Sequence, residues 1–325
     1  FIVIAAAVLV LQLISAFYLK FTPVSDLGYV DRAARDFCLT WDKSDLYNNL
    51  PERHMDYFVR YPNNQALLVI LSLVYSLCRN VSGVMPLAAP ILLNTIGLNV
   101  SFIFLYLISK KISRDKFTPL FCAVIGAGFS VFYTYTPYFY TDSMSFGMGI
   151  LGLAFLKLAA TSRGKRRQIL WALLAAGVAV LAGTWKITVI IPLIACAVIL
   201  LWQRVSVDRR VTLLFGGFVV ILGVALQLWA NSYEITKEAS ETANPVISWV
   251  ALGMKEDGSW TNNTEFVDHM YEFSTRQEKQ QYSMEYIREN RSEFWNPVHL
   301  RKKASYNFAN GNLGASAFLN VEYSD

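Results

Sequence analysis

Long apolar runs separated by short charged loops set the pattern of this chain. Runs of about membrane length cover 1–19, 86–109, 117–141, 142–160, 169–185, 187–203 and 211–233. A bilayer core takes about 20 residues of helix, so each run reads as a spanning helix. The 169–185 and 187–203 runs are short, but Lys186 at their shared turn can snorkel to the interface. One further run, Gln65–Cys78, has only about 14 residues and is too short to span comfortably. Between the first two spans, Pro23 and Ser25 mark a helix start with Ser25 as N-cap and an amphipathic series over Leu27–Phe37. Arg60-Tyr61-Pro62-Asn63-Asn64 then breaks the chain before the short apolar run. Charged, helix-forming stretches follow the last span at Glu234–Thr242 and Glu265–Phe294, with a turn-rich Gly253–Thr264 between them.

Charge decides how many of these runs cross. Three loops are basic: Lys110, Lys111, Arg114 and Lys116; Arg163, Lys165, Arg166 and Arg167; Arg204, Arg209 and Arg210. Residues 231–325 carry 9 Lys/Arg against 14 Asp/Glu. If 65–78 spans, the basic loops share a side with 20–64. If it does not, all three lie opposite 20–64 and opposite the acidic C-terminal part, as positive-inside bias requires. The expectation is therefore seven spans with a cytosolic N-terminus. Residues 20–85 form an external layer in which 65–78 is an interfacial or re-entrant helix. Residues 1–230 form the membrane module and 231–325 an extracytoplasmic segment of a chain read as part of a longer one.

Composition agrees: 54% of the 325 residues are hydrophobic and 16% charged, with mean hydropathy +0.35, whereas soluble domains are nearer a quarter charged. The first run lacks a signal-peptide cleavage site. The +5 net charge does not indicate nucleic-acid binding, because the basic clusters abut apolar runs. Cys38, Cys78, Cys122 and Cys196 have no metal spacing; a Cys38–Cys78 disulfide is one option. No P-loop, GxGxxG, GxSxG or HExxH occurs, nor any internal repeat. Sequons at Asn80, Asn99 and Asn262 carry no weight.

The candidate chemistry sits on the expected external face. Asp26 is either a helix-start acid stabilised by the dipole or a general base at the membrane surface. Asp142 follows the aromatic stretch Tyr133–Thr141. Alone it reads as an acid beside an interfacial belt; on one face with Asp26 it becomes a functional candidate. Lys186, in Gly183-Thr184-Trp185-Lys186-Ile187-Thr188, either snorkels or neutralises a leaving phosphate. Arg60 has the same two readings, with a guanidinium suited to phosphate. His54, Arg53, Lys302 and Lys303 are weaker candidates.

Asp26 after a proline, the Arg60–Asn64 entry to a short apolar helix, and Tyr140-Thr141-Asp142 together resemble the GT-C glycosyltransferase superfamily. Within it the chain looks like bacterial members related to protein O-mannosyltransferases and the lipid A aminoarabinose transferase. Trp185-Lys186-Ile187-Thr188 is similar to a Lys-Pro-Thr-like turn of such proteins, with Ile in place of Pro. Asp26-Leu27 stands where eukaryotic mannosyltransferases pair Asp with Glu. The resemblance covers roughly 1–230 and, more loosely, Trp249–Asn263.

It implies an all-α polytopic fold with a seven-helix module, external interfacial helices and a mostly helical extracytoplasmic C-terminal segment. The implied localisation is multi-pass in a bacterial plasma membrane, with the site on the extracytoplasmic face. The implied activity is inverting transfer from a polyprenyl-phosphate sugar to a glycan, glycolipid or protein acceptor. Asp26 would be the base, and Asp142 would position the acceptor or support a metal. Lys186, Arg60, Tyr61, Tyr140 and His54 would bind substrate. A divalent cation (Mg or Mn) on Asp26 and Asp142 is implied only for the metal-dependent relatives. A transporter or flippase and a non-catalytic envelope-assembly protein are the alternatives from other classes. The near absence of intramembrane acids speaks against the first.

Overall fold

The computed structural model describes residues 1–41, 57–113, 115, 117–202, 206–230, 238, 240–255 and 263–305, and all regular structure among them is helical. Two compact units are formed, one mainly from Phe1–Trp41 with Asn63–Ala230, the other from Asp42–Pro62 with Asn231–Ala317. The unit boundary after Ala230 falls at the end of the last apolar helix, three residues short of the run at 211–233. The residues before Pro62 group with the later unit rather than with the first loop.

In the first unit, α1 (Ile2–Tyr18) leads through Leu19–Val24 into α2 (Ser25–Thr40), and α3 covers Asn63–Ser82. Next come α4 (Ala88–Ile112), α5 (Phe117–Ala127), the single turn α6 (Val131–Thr134) and α7 (Thr141–Thr161). The unit closes with α8 (Lys165–Trp185), a 3₁₀ turn at Ile187–Ile190, α9 (Ile191–Trp202) and α10 (Ser206–Ala230). Five of these, α3, α4, α7, α8 and Arg209–Leu228 of α10, are long and apolar enough to cross a membrane; α1, α5 and Ile187–Ile199 are shorter apolar helices.

The run at 117–141 is thus not one span. α5 stops at Ala127, before Gly128, and the chain turns repeatedly as far as Tyr140. Ser25 does not cap α2 with its side chain; Val24 holds that position and Ser25 itself has φ +50°. The Cys38–Cys78 disulfide is absent, and all four cysteines are free. Cys38 Sγ instead faces Met85 Sδ at 3.2 Å.

Packing in this unit is inverted relative to a soluble core. Buried positions of α8 are small (Ala172, Ala175, Ala176, Ala179, Ala182), while Leu170, Leu173, Leu174 and Leu181 face outward. Lipid is as apolar as leucine, so helices associate through close backbone approach at small residues. α7 offers Gly147, Gly149 and Gly152 for this. A Cβ on Gly152 would sit 2.9 Å from Leu193 of α9, and one on Gly147 would sit 1.6 Å from Ser101 Oγ of α4. Polar residues inside pair across helices, as Asn99 Nδ2 does in donating to Gln12 Oε1 at 3.0 Å.

α3 is the main departure in length. Its 20 residues exceed the expected 14, and at about 30 Å it could cross a bilayer. Its ends nevertheless lie toward one end of the bundle. Asn63 donates to the carbonyl of Trp185, the last residue of α8, and Asn64 donates to Tyr140 beside the start of α7. At the other end, α3 feeds α4, whose Asn94 already binds the carbonyls of Tyr135, Thr136 and Tyr138. Asn94 is only about 9 Å of helix past Ala88. A helix running the bundle's full depth would deliver the chain to the opposite end, so α3 lies across the bundle. It does so strapped to α2, through a polar knot in which buried Asp31 accepts from Tyr75 Oη and from Arg35 Nε (2.9 Å), while Arg35 also donates to Tyr75 Oη (3.0 Å) and to the Met85 carbonyl (2.6 Å).

In the second unit, α11 (Val246–Leu252), α12 (Thr264–Tyr271) and α13 (Arg276–Glu289) pack around Ala251, Leu252, Met254, Phe266, Val267, Met270 and Tyr286. A 3₁₀ turn at Arg291–Trp295 leads into α14 (Pro297–Ala304). The stretch expected to be helical over Glu265–Phe294 is broken at 272–275, where Thr275 and Glu278 form a capping box that starts α13. Of Glu234–Thr242 and Gly253–Thr264, parts lie outside the described residues.

Candidate functional site

Three connections meet at one end of the first unit. The α1–α2 loop folds so tightly that a Cβ on Gly28 would lie 2.7 Å from the Pro23 carbonyl oxygen. Only glycine admits that approach. The fold-back sets Asp26 in the first turn of α2, exposed to solvent. Tyr140, 8% exposed, ends the aromatic stretch in extended conformation just before α7. Its hydroxyl lies 3.5 Å from Asp26 Oδ2, with the geometry of a donor, and accepts from Asn64 Nδ2 at 2.9 Å. Asn64 is buried, so its amide and the phenol form a supported polar chain from α3 to the Asp26 carboxylate.

The third connection is the α8–α9 turn. Lys186 takes an extended conformation after α8 and pairs with Asp142 in the first turn of α7. The two side chains are 40% and 39% exposed. Desolvation against the helix ends lowers the pKa of the Lys186 ammonium. The carboxylate beside it acts in the opposite direction. With this much water access, we treat Lys186 as charged. Trp185 before it is buried, with its indole N–H unpartnered among the described residues.

The aromatic stretch itself is held through its backbone. Asn94 Nδ2 spans three carbonyls, those of Tyr135 (2.8 Å), Thr136 (3.0 Å) and Tyr138 (3.3 Å). Burial raises the pKa of Tyr138 above the ordinary phenol value, so it stays protonated.

Asp26, Asp142, Tyr140 and Lys186 thus gather at one end of one unit, and Asn63, Asn64 and Asn94 join them. Asn64 was visible only as part of a chain break, and Asn94 not at all. The available signal was an asparagine inside an otherwise apolar span, where a polar residue costs free energy and calls for a partner. Arg60 and Tyr61 belong to the second unit. There the Arg60 guanidinium lies 4.9 Å from the centre of the Tyr271 ring, and Tyr61 Oη is 3.1 Å from Tyr271 Oη. His54 and Arg53 lie outside the described residues.

A divalent metal on Asp26 and Asp142 is not favoured by this arrangement. Asp142 already has an ammonium partner, and no group of three His, Cys, Asp or Glu among the described residues could hold an ion. Chemically, the cluster offers an exposed carboxylate steadied by a phenol, and a cation steadied by a second carboxylate.

Neither a curated protein nor a solved structure matches the chain. A family model described as conserved hypothetical integral membrane protein matches residues 2–316, and the chain accordingly belongs to that family of integral membrane proteins.

Proposed function

We propose that the protein is a GT-C-type glycosyltransferase that moves a sugar from a polyprenyl-phosphate carrier to an acceptor hydroxyl outside the cytoplasm of a bacterial cell. The observation that carries the proposal is the meeting of Asp26, Tyr140 and Asn64 with the Asp142–Lys186 pair at one end of the membrane unit. Glycosyl transfer from a lipid phosphate needs a base for the incoming hydroxyl and a cation for the departing phosphate, and both must be reachable from the bilayer surface.

In this scheme Asp26 accepts the proton of the acceptor hydroxyl as its oxygen bonds to the anomeric carbon. The bond from that carbon to the phosphate oxygen breaks with inversion, and the lipid phosphate leaves carrying the electron pair. Tyr140, held by Asn64, fixes the Asp26 carboxylate. Asp142 holds Lys186 extended toward the phosphate. The lipid tail would lie in the bilayer beside α3.

The test uses purified protein in vesicles with radiolabelled polyprenyl-phosphate sugars. Asp26→Asn, expressed and folded normally, should abolish cleavage of the sugar–phosphate bond. Full turnover in that variant would exclude Asp26 as the base. Movement of intact lipid-linked sugar between leaflets, without cleavage, would favour a transporter.

A further inference from the structure

We propose that the end of the second unit, the 3₁₀ turn Arg291–Trp295 with α14, docks on an anionic lipid surface. The two parts of this unit differ sharply in charge. Residues 231–287 carry 4 Lys/Arg against 10 Asp/Glu, whereas 288–303 carry 5 against 2 (Arg288, Arg291, Arg301, Lys302 and Lys303; Glu289 and Glu293). The same short stretch exposes large apolar groups: Phe294 48%, Trp295 86%, Val298 63% and Leu300 49%.

The fold accounts for this presentation. His299 Nε2 and Lys303 Nζ, one turn apart, both reach the carbonyl of Gly253, at 3.1 and 2.9 Å. That pair turns one side of α14 inward and leaves Val298, Leu300 and Arg301 outside. Asn296 caps the helix through the Val298 amide and also donates to Glu293 at 2.8 Å, which occupies one of the two acids. The stretch therefore displays Phe294 and Trp295 beside Arg291, Arg301 and Lys302.

Exposed tryptophan beside cations is the combination that settles at headgroup depth, with rings below and charges at the phosphates. Each cation at an anionic surface contributes about fivefold to the local binding equilibrium. A protein partner would have to be strongly acidic and concave. The chain belongs to an integral membrane family, so a bilayer is always present, and the charge of the patch selects anionic lipid. This inference does not depend on glycosyl transfer.

The experiment places a nitroxide at Trp295→Cys in the full chain with its four native cysteines replaced. The protein is reconstituted in phosphatidylcholine vesicles with and without phosphatidylglycerol. Met284→Cys on α13, 50% exposed, is the reference. With phosphatidylglycerol, the label at 295 should collide more with oxygen than with a water-soluble nickel chelate, and the one at 284 should do the reverse. The preference at 295 should fall when phosphatidylglycerol is omitted or when Arg291, Arg301 and Lys302 are all changed to Gln. A nickel-accessible label at 295, one shielded from both reagents by protein, or one indifferent to phosphatidylglycerol would overturn the proposal. Should Trp295→Cys lower the melting temperature, Phe294→Cys serves the same measurement.

Discussion

Gly147→Ala tests whether close helix approach holds the membrane unit together. The added Cβ would fall 1.6 Å from Ser101 Oγ and 2.8 Å from Ser101 Cβ. Rotating the Ser101 hydroxyl away would relieve the first contact at the loss of its 2.6 Å bond to the Gly97 carbonyl, but not the second. Either α4 and α7 separate or the side chain is forced off its rotamer, and such overpacking costs about 1–3 kcal/mol. Ser101→Ala should recover only part, because the Cβ contact persists. Ser101→Gly should recover most of it, because the next neighbour, the Gly97 oxygen, is at 3.4 Å. A second helical glycine itself costs about 1 kcal/mol. That cost is common to the Ser101→Gly single and double mutants and cancels in the cycle, so the expected coupling between Gly147→Ala and Ser101→Gly is most of the overpacking cost, about 1–3 kcal/mol of mutual rescue, well above the few tenths seen for independent sites. Unfolding in mixed detergent micelles, followed by circular dichroism on the full double-mutant cycle, measures it. Additive losses, or a Gly147→Ala protein as stable as the parent, would refute the packing argument.

Tyr140→Phe removes the hydroxyl between Asn64 and Asp26. It should slow sugar transfer about tenfold with little change in melting temperature, and Asn64→Ala should act in the same direction. Charge reversal at Lys186→Asp or Asp142→Lys alone should abolish lipid-sugar turnover, and the double swap should restore the fold without restoring rate, which thermal melts and turnover assays together would register. Tyr75→Phe deprives buried Asp31 of a donor and should destabilise the protein by about 1–3 kcal/mol in the same micelle titration. At Asp115, hydrogen bonds from Ser113 and then from the Thr118 backbone and side chain hold the carboxyl well below its usual range. The stabilisation it lends to the start of α5 is complete above the unfolded carboxylate pKa of about 4 and is lost as pH falls through the lower folded value. The melting-temperature gap between parent and Asp115→Ala should hold steady from neutral pH to about pH 5 and close only in stronger acid.

Much of the membrane unit was legible because length and apolarity are local properties. Those same properties misjudged α3, since Asn63 and Asn64 were counted as a break and the run was ended at Cys78, although a helix whose termini lie among polar loops can carry polar residues at both ends. The fracture of the 117–141 run was also missed. Gly128, Ser130 and Pro137 were visible there, but apolar content outweighed them. Asp26, Asp142 and Lys186 were found because charge at the edge of an apolar run is conspicuous. Asn94 and the α7 glycines were not, because their roles exist only against a partner: carbonyls more than forty residues away for one, Ser101 and Leu193 for the others. Arg60 was grouped with Lys186 on its chemistry, and no sequence pattern distinguishes that from stacking on Tyr271.

The grip of Asn94 on the 135–138 carbonyls has an evolutionary corollary. Every amino acid brings the same carbonyl, so the hold of the Asn94 amide on residues 135, 136 and 138 does not depend on which side chains stand there. Drift in the ring chemistry at positions 135 and 138 would then leave this part of the backbone support in place. Replacing Asn94 would instead unmoor the whole ledge at once.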